Sequence, residues 1–511
     1  TPLFFKFVMT AFDIGVMVLL MLMIRRQGVS PSRLLFYAAN PLVIVYISGE
    51  GHLDVVQVFF LFLALYLILY QKSPFSGFLL LGVAVLTKYF AFVAWPFLVN
   101  AENRWKSLAV FIPLVLYMPF LDAGLGIFQS LGTFAGNFHY NDSIAVLLRS
   151  FFGDRHLFAG AFFLFVCLAW VYLFVHEKLR SVYLAVGCLM IFLPTLHPWY
   201  LVLIAPFLVF FPSLAWLYLL AAVVFTFPVI AIESRTGIFQ EIFWLKFFEY
   251  VPFCGLLIWG IFRCGYIIRD RMYPKPKNIS VIVPVLNEEY TIGRCLESLK
   301  NRTVLKEIIV ADGGSTDNTR SIAAKLNVRV VKSPQGRGPQ IREGIKAASG
   351  DVILILHADC VAGKGVFKRI IELLKANPHV VGGAFGMQFE SHHPKMRLIA
   401  FLNNIRAYLT GISFGDQAQF FRAEALDGMG GFPSMMLMED VELSLRLKEF
   451  GRLVFLRDGI VVSGRRWNAP RFAGNFLTVF YLFTRYLIER RWAKVDRSMK
   501  KYYEIYYNLN E

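Results

Sequence analysis

The sequence predicts two parts of different fold class: a polytopic α-helical membrane domain, followed by an α/β domain built on a mostly parallel sheet. The first supporting observation is composition, since 57% of the 511 residues are hydrophobic and only 17% are charged. Soluble proteins average about 45–50% apolar residues. The second is distribution, because the apolar excess ends near Arg269, and short strand-like and helix-like segments alternate after Tyr273. This change of pattern separates a membrane part from a soluble part.

The membrane part contains many apolar runs close to the length of about 20 residues that a bilayer core requires. Clear runs lie at 3–24, 55–70, 157–175, 213–231 and 247–268. Shorter or broken runs lie at 34–48, 75–99, 107–121, 179–195 and 199–211. A very large soluble core does not explain the pattern, because soluble chains do not repeat such runs so often.

Basic residues orient this region, since Lys and Arg collect on the cytoplasmic side of membranes. They cluster in four segments, 25–33, 102–106, 176–180 and 269–277. The number of membrane crossings places all four basic segments on the cytoplasmic side only if the run at 75–99, broken at Lys88, is a hairpin of two half-spans. The soluble part is then cytoplasmic and the first run starts outside at Thr1, which predicts that an upstream span and loop are missing. We expect an integral, multi-pass protein of a bacterial-type inner or plasma membrane.

Charge and cysteine content argue against two other classes. The formal net charge of +17 follows from the basic cytoplasmic edges, so nucleic acid is not an expected partner. The six cysteines are scattered without a CxxC pair, which implies neither a zinc site nor a disulfide framework. The predicted organisation is a membrane domain over 1–270, a linker over 271–278, an α/β domain over 279–475 and a C-terminal segment over 476–511.

The soluble part alternates strand patterns with helix patterns. Strands are predicted at "ISVIVPVLN" (279–287), "EIIVADGGSTD" (307–317), "VRVVKS" (328–333) and "DVILILHAD" (351–359). This alternation predicts a parallel sheet with helices on both faces, in which ligands bind beyond the carboxyl ends of the strands. The polar residues at those ends are Asn287, Glu288, Asp312, His357 and Asp359.

Three sequence features of the soluble part, Asp359, Asp312 and the segment "QGRG", indicate binding of a nucleoside diphosphate. Asp359 offers a carboxylate oxygen to Mg²⁺ or Mn²⁺, whose coordination the phosphates would complete. Asp312 suits a hydrogen bond to a base or ribose, and Arg337 in "QGRG" (335–338) suits a phosphate. Each motif alone also fits a helix N-cap. Their occurrence in one α/β unit favours the ligand site.

The motifs "SVIVPVLNEE", "VADGGSTDNT", "LHADC" and "MEDVELSLRLKEFGR" occur in this order. The region from about 278 to 495 therefore resembles the family-2 glycosyltransferases of the GT-A fold, a Rossmann-like fold. Within them it resembles the selenodomain-associated transferase 2 subgroup, through "GDQAQFFR" (415–422), "GGFP" (430–433), "MED" (438–440) and "SGRRW" (463–467). The resemblance implies a UDP- or GDP-sugar donor and a divalent metal, Mg²⁺ or Mn²⁺.

The resemblance also implies roles for individual residues. Those implied to contact the donor are Pro284, Asn287, Glu288, Asp312, Arg337, His357 and Asp359. Asp359 is the last residue of the Asp-x-Asp metal motif, and His357 stands where the first Asp is usual, either as a second ligand of the metal or only as a contact of the phosphate. Glu439 and Asp440 occupy the position of the inverting base, with Asp440 preferred, although Asp440 also fits a helix cap. Residues implied near the acceptor or the phosphates are Asp416, Gln417, Arg466 and Trp467.

The C-terminal segment begins with an apolar and aromatic run, "FLTVFYLFTRYLIERRWAK" (476–494). Its basic end predicts an amphipathic helix on the membrane surface. Packing of this helix on its own domain is the equally supported alternative.

The membrane part carries its own ionisable residues, which are functional candidates by default. They are Glu50, His52, Asp54, Lys88 and His197. Residues 1–230 resemble polytopic GT-C glycosyltransferases that use polyprenyl-phosphate sugars. The resemblance suggests Lys88 and His197 as contacts of a lipid phosphate, whereas solvated loops are the plain alternative.

Three functions remain in competition. The first is a membrane glycosyltransferase that moves a sugar from a nucleotide to a lipid-linked or membrane-proximal acceptor by metal-assisted inverting transfer, coupled to a GT-C-like transferase on the outer face. In the second, only the cytoplasmic domain is catalytic and the spans anchor it or translocate product. The third is a transporter with a sugar-nucleotide-binding domain. A base at Asp440 argues against the third, because a binding module needs none.

Overall fold

The computed structural model describes residues 2–129, 140–237, 242–263, 272–300, 303–433, 435–464, 472–492 and 500–508. The chain divides into two compact units, Thr1–Cys264 and Gly265–Glu511. The first is helical, and the second combines helices with one sheet.

The first unit is built from α-helices joined by tighter 3₁₀ turns and one π-helical turn. The α-helices are α1 Pro2–Gln27, α2 Leu35–Ala38, α3 Pro41–Val43, α4 Asp54–Leu69, α5 Pro74–Thr87, α6 Trp95–Leu98, α7 Ile144–Phe152, α8 His156–Phe174, α9 Lys178–Phe192, α10 Leu214–Ala222, α11 Phe227–Thr236 and α12 Phe243–Arg263. The π-helix is Ile44–Gly49, and the 3₁₀ segments are Pro31–Leu34, Tyr89–Ala94, Lys106–Phe128, Gly153–Arg155, Pro198–Leu203, Ala205–Val209 and Val223–Thr226.

Two helices among the described residues are long and apolar enough to cross a bilayer. They are Leu3–Gln27 and Ile144–Phe174, and the pair Pro41–Gly49 with Asp54–Leu69, bent by 114°, would count as a third span. Helix α12, Phe243–Arg263, covers the described part of the run at 247–268. Several other predicted runs form shorter pieces; the run at 213–231, for example, is divided among α10, a 3₁₀ turn and α11. The described residues thus support apolar spans without establishing the number that hydropathy predicted.

The break predicted at Lys88 is present. Helix α5 ends at Thr87, Lys88 is extended with φ −166° and ψ 131°, and a 3₁₀ turn follows. The helix before the break packs closely, because a Cβ at Gly82 would lie 2.3 Å from the Val110 carbonyl oxygen. Only glycine permits that approach.

The second unit contains an eight-stranded sheet. Its strands are β1 Ile279–Val285, β2 Leu305–Asp312, β3 Arg329–Lys332, β4 Val352–Ile355, β5 Cys360–Ala362, β6 Val380–Phe389, β7 Phe420–Arg422 and β8 Arg452–Val462, and their order across the sheet is β3-β2-β1-β4-β7-β6-β8-β5. Its α-helices are α13 Ile292–Ser298, α14 Thr319–Lys325, α15 Arg337–Lys346, α16 Val366–Ala376, α17 Pro394–Thr410, α18 Ala425–Met429, α19 Glu439–Phe450, α20 Phe472–Trp492 and α21 Lys500–Asn508, and Gly415–Gln417 is a 3₁₀ turn.

The sheet is mixed, with four parallel and three antiparallel strand pairings, so the predicted parallel arrangement holds for only part of it. Strands β1 to β4 pair in parallel as predicted, and β6 pairs in parallel with β8. Strand β7 runs antiparallel to β4 and β6, and β5 runs antiparallel to β8. The strand predicted to reach Asp359 ends at Ile355, and the few residues before β5 are too short for a parallel crossover. The chain therefore leaves the parallel half at this point.

Both faces of the sheet are covered, as the alternation predicted. Val281 and Val283 belong to one hydrophobic cluster, whereas Ile282 belongs to a second cluster. Successive strand residues point to opposite faces, so the two clusters lie on opposite sides of the sheet. Tyr273, in the predicted linker, is buried in the second cluster, and its hydroxyl donates to the Phe450 carbonyl at 3.2 Å.

Helix α20, at the start of the C-terminal segment, packs on the rest of the second unit through one face. Tyr486 and Leu487 on that face are fully buried. The Tyr486 hydroxyl donates to Glu442 at 2.5 Å, and the Arg490 guanidinium donates to the same carboxylate at 2.7 Å. Packing on the domain, one of the two predicted alternatives, is therefore observed; contact with a membrane stays a prediction for the opposite face.

Candidate active site and a second polar cluster

The loops that follow β1 and β2 are locked together at the carboxyl edge of the sheet. Asn287 adopts φ +54°, a left-handed conformation that asparagine tolerates. Its backbone N–H donates to the Ser315 hydroxyl at 3.0 Å, and its side-chain oxygen accepts from the Thr316 N–H at 2.9 Å. The Glu288 N–H donates to Thr319 at 2.8 Å. Asn287 and Glu288 thus brace the edge where the nucleoside pocket was expected, just after the half-buried Pro284.

Asp312, the last residue of β2, is buried and held in place by donors. Its carboxylate accepts from the Ser315 N–H at 3.0 Å and from the Arg320 guanidinium at 2.5 Å. Burial raises the pKa of Asp312, but the bonds from Ser315 and Arg320 lower it by more, so it lies below its ordinary value. Asp312 is therefore a fixed anion at the sheet edge.

The "QGRG" loop is clamped against the segment before α19. Gly336 adopts φ +119°, and the Gly338 N–H donates to the Met435 carbonyl at 3.1 Å. A Cβ at Gly338 would lie 2.1 Å from that oxygen, so glycine is required. The Arg337 guanidinium lies 5.6 Å from the centre of the Tyr506 ring, on α21. The C-terminal helix therefore touches the loop expected to bind the donor phosphates.

A cluster of carboxylates lies beyond the ends of β4 and β7. Asp359 and Asp440 both lie close enough to Asp416 to act on its carboxylate electrostatically. Burial raises the pKa of Asp416 to about 6; the Arg406 guanidinium opposes this rise, and Asp359 and Asp440 add to it. The cluster thus gathers Asp359, Asp416 and Asp440, candidates predicted from three separate motifs, near the guanidinium groups of Arg406 and Arg337.

Glu439 and Asp440, the predicted base pair, differ in environment. Both Glu439 oxygens are buried and have no hydrogen-bond partner among the described residues. Burial and the neighbouring Asp440 raise the pKa of Glu439, and Arg337 opposes them, so Glu439 is held towards its neutral form. The Asp440 carboxylate accepts from the Gly415 N–H at 2.8 Å and from the N–H of the next residue, Val441, at 2.7 Å. Asp440 is thus the donor-supported carboxylate of the two.

The backbone before this pair is unusual. Met438 adopts φ +64°, which is rare for a residue with a long side chain and costs on the order of 1–3 kcal/mol. Helix α19 begins at the next residue, so the turn sets the direction of the first helical side chains. Gln419 donates to the Asp440 carbonyl at 2.9 Å and ties this helix start to the strand segment before β7.

His357 and Asp359 lie between β4 and β5. A Cβ at Gly415 would come within 2.4 Å of His357 Nε2, so the ring packs directly on a glycine of the acceptor-side turn. The Asp359 carbonyl accepts from the Ser463 N–H at 3.0 Å. Gln417 is buried, and its side-chain oxygen accepts from the Arg406 guanidinium at 3.2 Å. Arg466 and Trp467, also predicted for this region, fall outside the described residues.

The cluster matches a divalent cation in donor type but not in donor number. Asp359 and Asp416 offer carboxylate oxygens, which Mg²⁺ and Mn²⁺ prefer, and Asp416 Oδ1 is buried with no partner in the described part of the chain. No group of three or more His, Cys, Asp or Glu side chains among the described residues is arranged to hold a metal by itself. A cation here would need oxygens from the substrate, as diphosphates supply.

The first unit brings all five of its predicted candidates into one cluster. Lys88 donates to Asp54 at 2.6 Å, and the His52 ring lies 3.1 Å from the Glu50 carboxylate. His197 joins through aromatic contacts: Trp199 stacks on both histidine rings, each with centroids 4.4 Å apart. The Lys88 ammonium also lies 3.6 Å from the centre of the Tyr200 ring.

Sequence reasoning missed several members of both clusters. Arg406 lies in a long helix without a motif, and only its isolation among apolar residues marks it. Trp199 and Tyr200 were visible in "LHPWY" but were not given a role. A further buried acid, Asp13, was overlooked within the first apolar run, where it accepts from Tyr37 at 2.6 Å and is not shown to join either cluster. An acidic residue inside such a run was the available signal.

Two family models match this chain, one in each unit. Residues 280–438 match glycosyl transferase family 2. Residues 3–104 match a model described as alpha-(1->6)-mannopyranosyltransferase, N-terminal domain. The second unit therefore contains a segment similar to glycosyl transferase family 2, and the first contains a segment similar to the mannosyltransferase model. That segment and the two apolar helices indicate association with a membrane.

Individual relatives agree with the family models. The probable glycosyltransferase YdaM of Bacillus subtilis is 26% identical over 209 residues, which cover 36% of this chain and 49% of that protein. The glucosyl-3-phosphoglycerate synthase of Mycobacterium tuberculosis is 33% identical over 111 residues, 19% of this chain and 34% of that protein. This chain thus spans half or less of the length of these relatives. The two family models and the relatives support a glycosyltransferase as the enzyme class.

A solved structure of the same synthase, in complex with Mn²⁺, uridine diphosphate and phosphoglyceric acid, is also similar. It is 19% identical, covers 42% of this chain and 76% of its own, and has a TM-score of 0.31.

Proposed function

We propose that the second unit transfers a sugar from a UDP- or GDP-sugar to a lipid-linked or membrane-proximal acceptor, with inversion at the sugar carbon. The observation that carries this proposal is the convergence of Asp359, Asp416 and Asp440 beyond the strand ends of a domain that matches glycosyl transferase family 2. Membership of the selenodomain-associated transferase 2 subgroup is supported by its four ordered motifs, "GDQAQFFR", "GGFP", "MED" and "SGRRW".

The transfer step assigns one role to Asp440. The acceptor hydroxyl oxygen forms a bond to the sugar carbon from the face opposite the diphosphate, and the bond from that carbon to the diphosphate oxygen breaks. Asp440 takes the hydroxyl proton as this happens. Asp416 and Gln417 lie beside it on the acceptor side, and Glu439, buried and held towards its neutral form, stays out of the transfer.

The donor side is assigned to the edge formed by the β1 and β2 loops. Pro284, Asn287 and Glu288 would line the nucleoside pocket, and Asp312 would accept from the base or ribose. Arg337 would pair with the diphosphate, because a guanidinium forms strong bonds to phosphate oxygens. Asp359, with His357 beside it, would hold Mg²⁺ or Mn²⁺; the cation supplies charge neutralisation of the leaving diphosphate when bound.

A second activity is supported in the first unit by the cluster of Glu50, His52, Asp54, Lys88 and His197. Stacked aromatic rings beside a paired ammonium and carboxylate suit a sugar phosphate carried on a lipid. We therefore propose that the protein couples two transferases. The first unit acts with a polyprenyl-phosphate sugar on the outer face of a multi-pass protein, and the second unit is cytoplasmic. The competing functions are an anchor or translocation path, and a transporter with a nucleotide-sugar-binding domain.

The test uses the purified full chain with Mn²⁺ or Mg²⁺ and a panel of UDP- and GDP-sugars. Nucleotide release is followed with and without a membrane lipid extract, beside Asp359→Ala, Asp440→Asn and the control Asp427→Asn. Asp427 is an exposed carboxylate in the short helix α18, outside the cluster. We expect lipid-stimulated release from one donor, lost in the two cluster variants and kept in the control.

A different result would refute the proposed transferase. Folded protein that releases no nucleotide from any donor, with either metal, refutes the transferase and favours the binding-domain reading. The first-unit activity is tested separately by Glu50→Gln, Asp54→Asn and His197→Ala. If overall glycan transfer survives all three changes, only the second unit is catalytic.

A further inference from the structure

Helix α17 exposes a continuous apolar stripe. Leu398, Phe401, Leu402 and Ile405 recur at the spacing of one helix face and are 39–58% exposed. The opposite face of the same helix is packed, since Ile399 belongs to the main hydrophobic cluster of the unit. The exposure is therefore a property of one face and not of a loosely attached helix.

Helix α20 repeats this arrangement. Phe476, Leu477, Phe480 and Tyr481 are 40–64% exposed, while Tyr486 faces inward and is buried. Of the fourteen exposed large apolar side chains in the described part of the second unit, twelve lie on these two helices. Such concentration marks an interaction surface, because isolated apolar residues scatter over an ordinary surface.

The two stripes belong to neighbouring helices. The Arg406 guanidinium of α17 lies 3.5 Å from the centre of the Phe414 ring and 5.6 Å from that of Phe483, on α20. Phe414 and Phe483 pack edge to face at 5.6 Å. We call the exposed apolar faces of α17 and α20 together the docking face.

The charges around the docking face are basic. Helix α17 contains no acidic residue, and its first turn exposes Lys395 and Arg397. The last turn of helix α20 carries Arg491, next to Arg490, whose guanidinium pairs with Glu442 on the packed face. Apolar and aromatic faces bordered by Lys and Arg are typical of helices that lie in the interface of an anionic bilayer.

We propose that the docking face rests on an anionic lipid bilayer and presents the carboxylate cluster to an acceptor held in that bilayer. The chain also carries helices long and apolar enough to span a membrane, which would tether the second unit to a bilayer. Arg406 also donates to the side chain of Gln417, beside Asp416, so the docking face borders the acceptor side of the cluster. The statement about the acceptor rests on the proposed function; the docking itself does not.

The test of docking places a fluorescent amino acid, by amber suppression, at Leu402, Leu477 or the control position Tyr290. Tyr290 is 86% exposed and lies outside the docking face. The full chain is reconstituted in nanodiscs of equal parts phosphatidylethanolamine and phosphatidylglycerol, with or without brominated acyl chains. Since interfacial helices bury their apolar face about 5–10 Å deep, we expect brominated lipid to lower emission about twofold at Leu402 and Leu477 and to leave Tyr290 unchanged.

Two outcomes overturn the proposal. Emission that is insensitive to brominated lipid at Leu402 and Leu477 means that the first unit or a second copy covers the face. Equal quenching at all three positions means that no particular face docks. This readout needs no turnover, so it stands or falls independently of the transferase assignment.

A functional comparison tests the acceptor statement. The double variant Leu402→Asn with Leu477→Asn is assayed with a lipid-borne acceptor and, separately, for donor hydrolysis in water. We expect transfer to lipid to fall about tenfold or more, because two apolar anchors are lost, while hydrolysis stays unchanged. Equal loss of both activities, or of neither, contradicts presentation of the cluster by this face.

Discussion

The substitution Asp440→Asn separates the two roles that this residue was predicted to have. Asp440 lies in the first turn of α19 and accepts the Gly415 and Val441 N–H groups. Asparagine keeps the shape and one acceptor oxygen but loses the charge and the ability to take a proton. Helix capping needs only the acceptor, whereas a general base needs the carboxylate.

The expected magnitudes differ enough to decide between these roles. Loss of one charge-assisted hydrogen bond and of a charge near the helix N-terminus lowers the free energy of unfolding by about 1–3 kcal/mol. Loss of a general base lowers kcat by about 10²–10⁴-fold. That rate loss equals a rise of about 3–5 kcal/mol in the activation barrier. In the proposed mechanism Asp440 contacts the acceptor and not the nucleotide, so the KM for the donor is expected to stay constant.

The assay measures kcat for nucleotide release with a saturating lipid acceptor, well below the melting temperature of the variant. Ser444→Ala is the matched control, because the Ser444 hydroxyl donates to the Asp440 carbonyl at 3.0 Å and its loss weakens the same helix turn without touching the carboxylate. We expect the control to melt earlier and to keep its kcat. If Asp440→Asn retains a kcat within about threefold of the control, Asp440 is a cap and not the base.

Further predictions concern the donor side, the core and the first unit. Asp359→Asn is expected to abolish stimulation by Mn²⁺ while leaving the melting temperature unchanged, which a metal titration with both readouts checks. Tyr506→Leu is expected to raise the KM for the donor several-fold at constant kcat, whereas Tyr506→Phe, which keeps the ring, is neutral in the same kinetics. Burial raises the pKa of Glu442, but its arginine and tyrosine partners lower it by more. The stabilisation from the ionised carboxylate is therefore present at pH values above the ordinary pKa of glutamate and is lost as the pH falls through the lowered pKa. Glu442→Gln should melt earlier than the unchanged protein at neutral pH, and its melting temperature should fall less on acidification. Lys88→Met leaves Asp54 without its ammonium and should lower the free energy of unfolding by roughly 1–3 kcal/mol, and adding Asp54→Asn should restore part of it in a thermal-melting series.

The parallel half of the sheet followed from sequence because its signals are local. Each of β1 to β4 is a short apolar run closed by polar residues, and a helix pattern separates each from the next, so pairing and direction follow from chain connectivity. The antiparallel half depends on contacts between distant segments. Nothing in the local pattern of Cys360–Ala362 indicates that it pairs with β8, about a hundred residues later.

The residues of the candidate site differ in the same way: local sequence signals predicted some of them, and contacts between distant segments determine the rest. Asp312 and Asp359 were found because strand ends mark them, and Asp440 because its motif resembles a known one. The burial of Glu439 was not predictable, since it arises where α19 meets the clamped "QGRG" loop. The first-unit ion pair was likewise invisible: Asp54 and Lys88 were each noticed, but their contact depends on how α4 packs beside the break after α5.

The adjacent carboxylates Glu439 and Asp440 resolve an ambiguity that their order in the sequence leaves open. A buried carboxylate without hydrogen-bond donors is costly to ionise, so it is a poor proton acceptor. Glu439 is buried and has no hydrogen-bond partner among the described residues, while Asp440 receives two backbone donors and lies near Asp416. The left-handed turn at Met438 directly precedes both residues. Glu439→Gln, which removes the ionisable group but keeps the buried shape, should therefore leave kcat nearly unchanged where Asp440→Asn does not, and a comparable loss in both variants would mean that the pair acts as one unit.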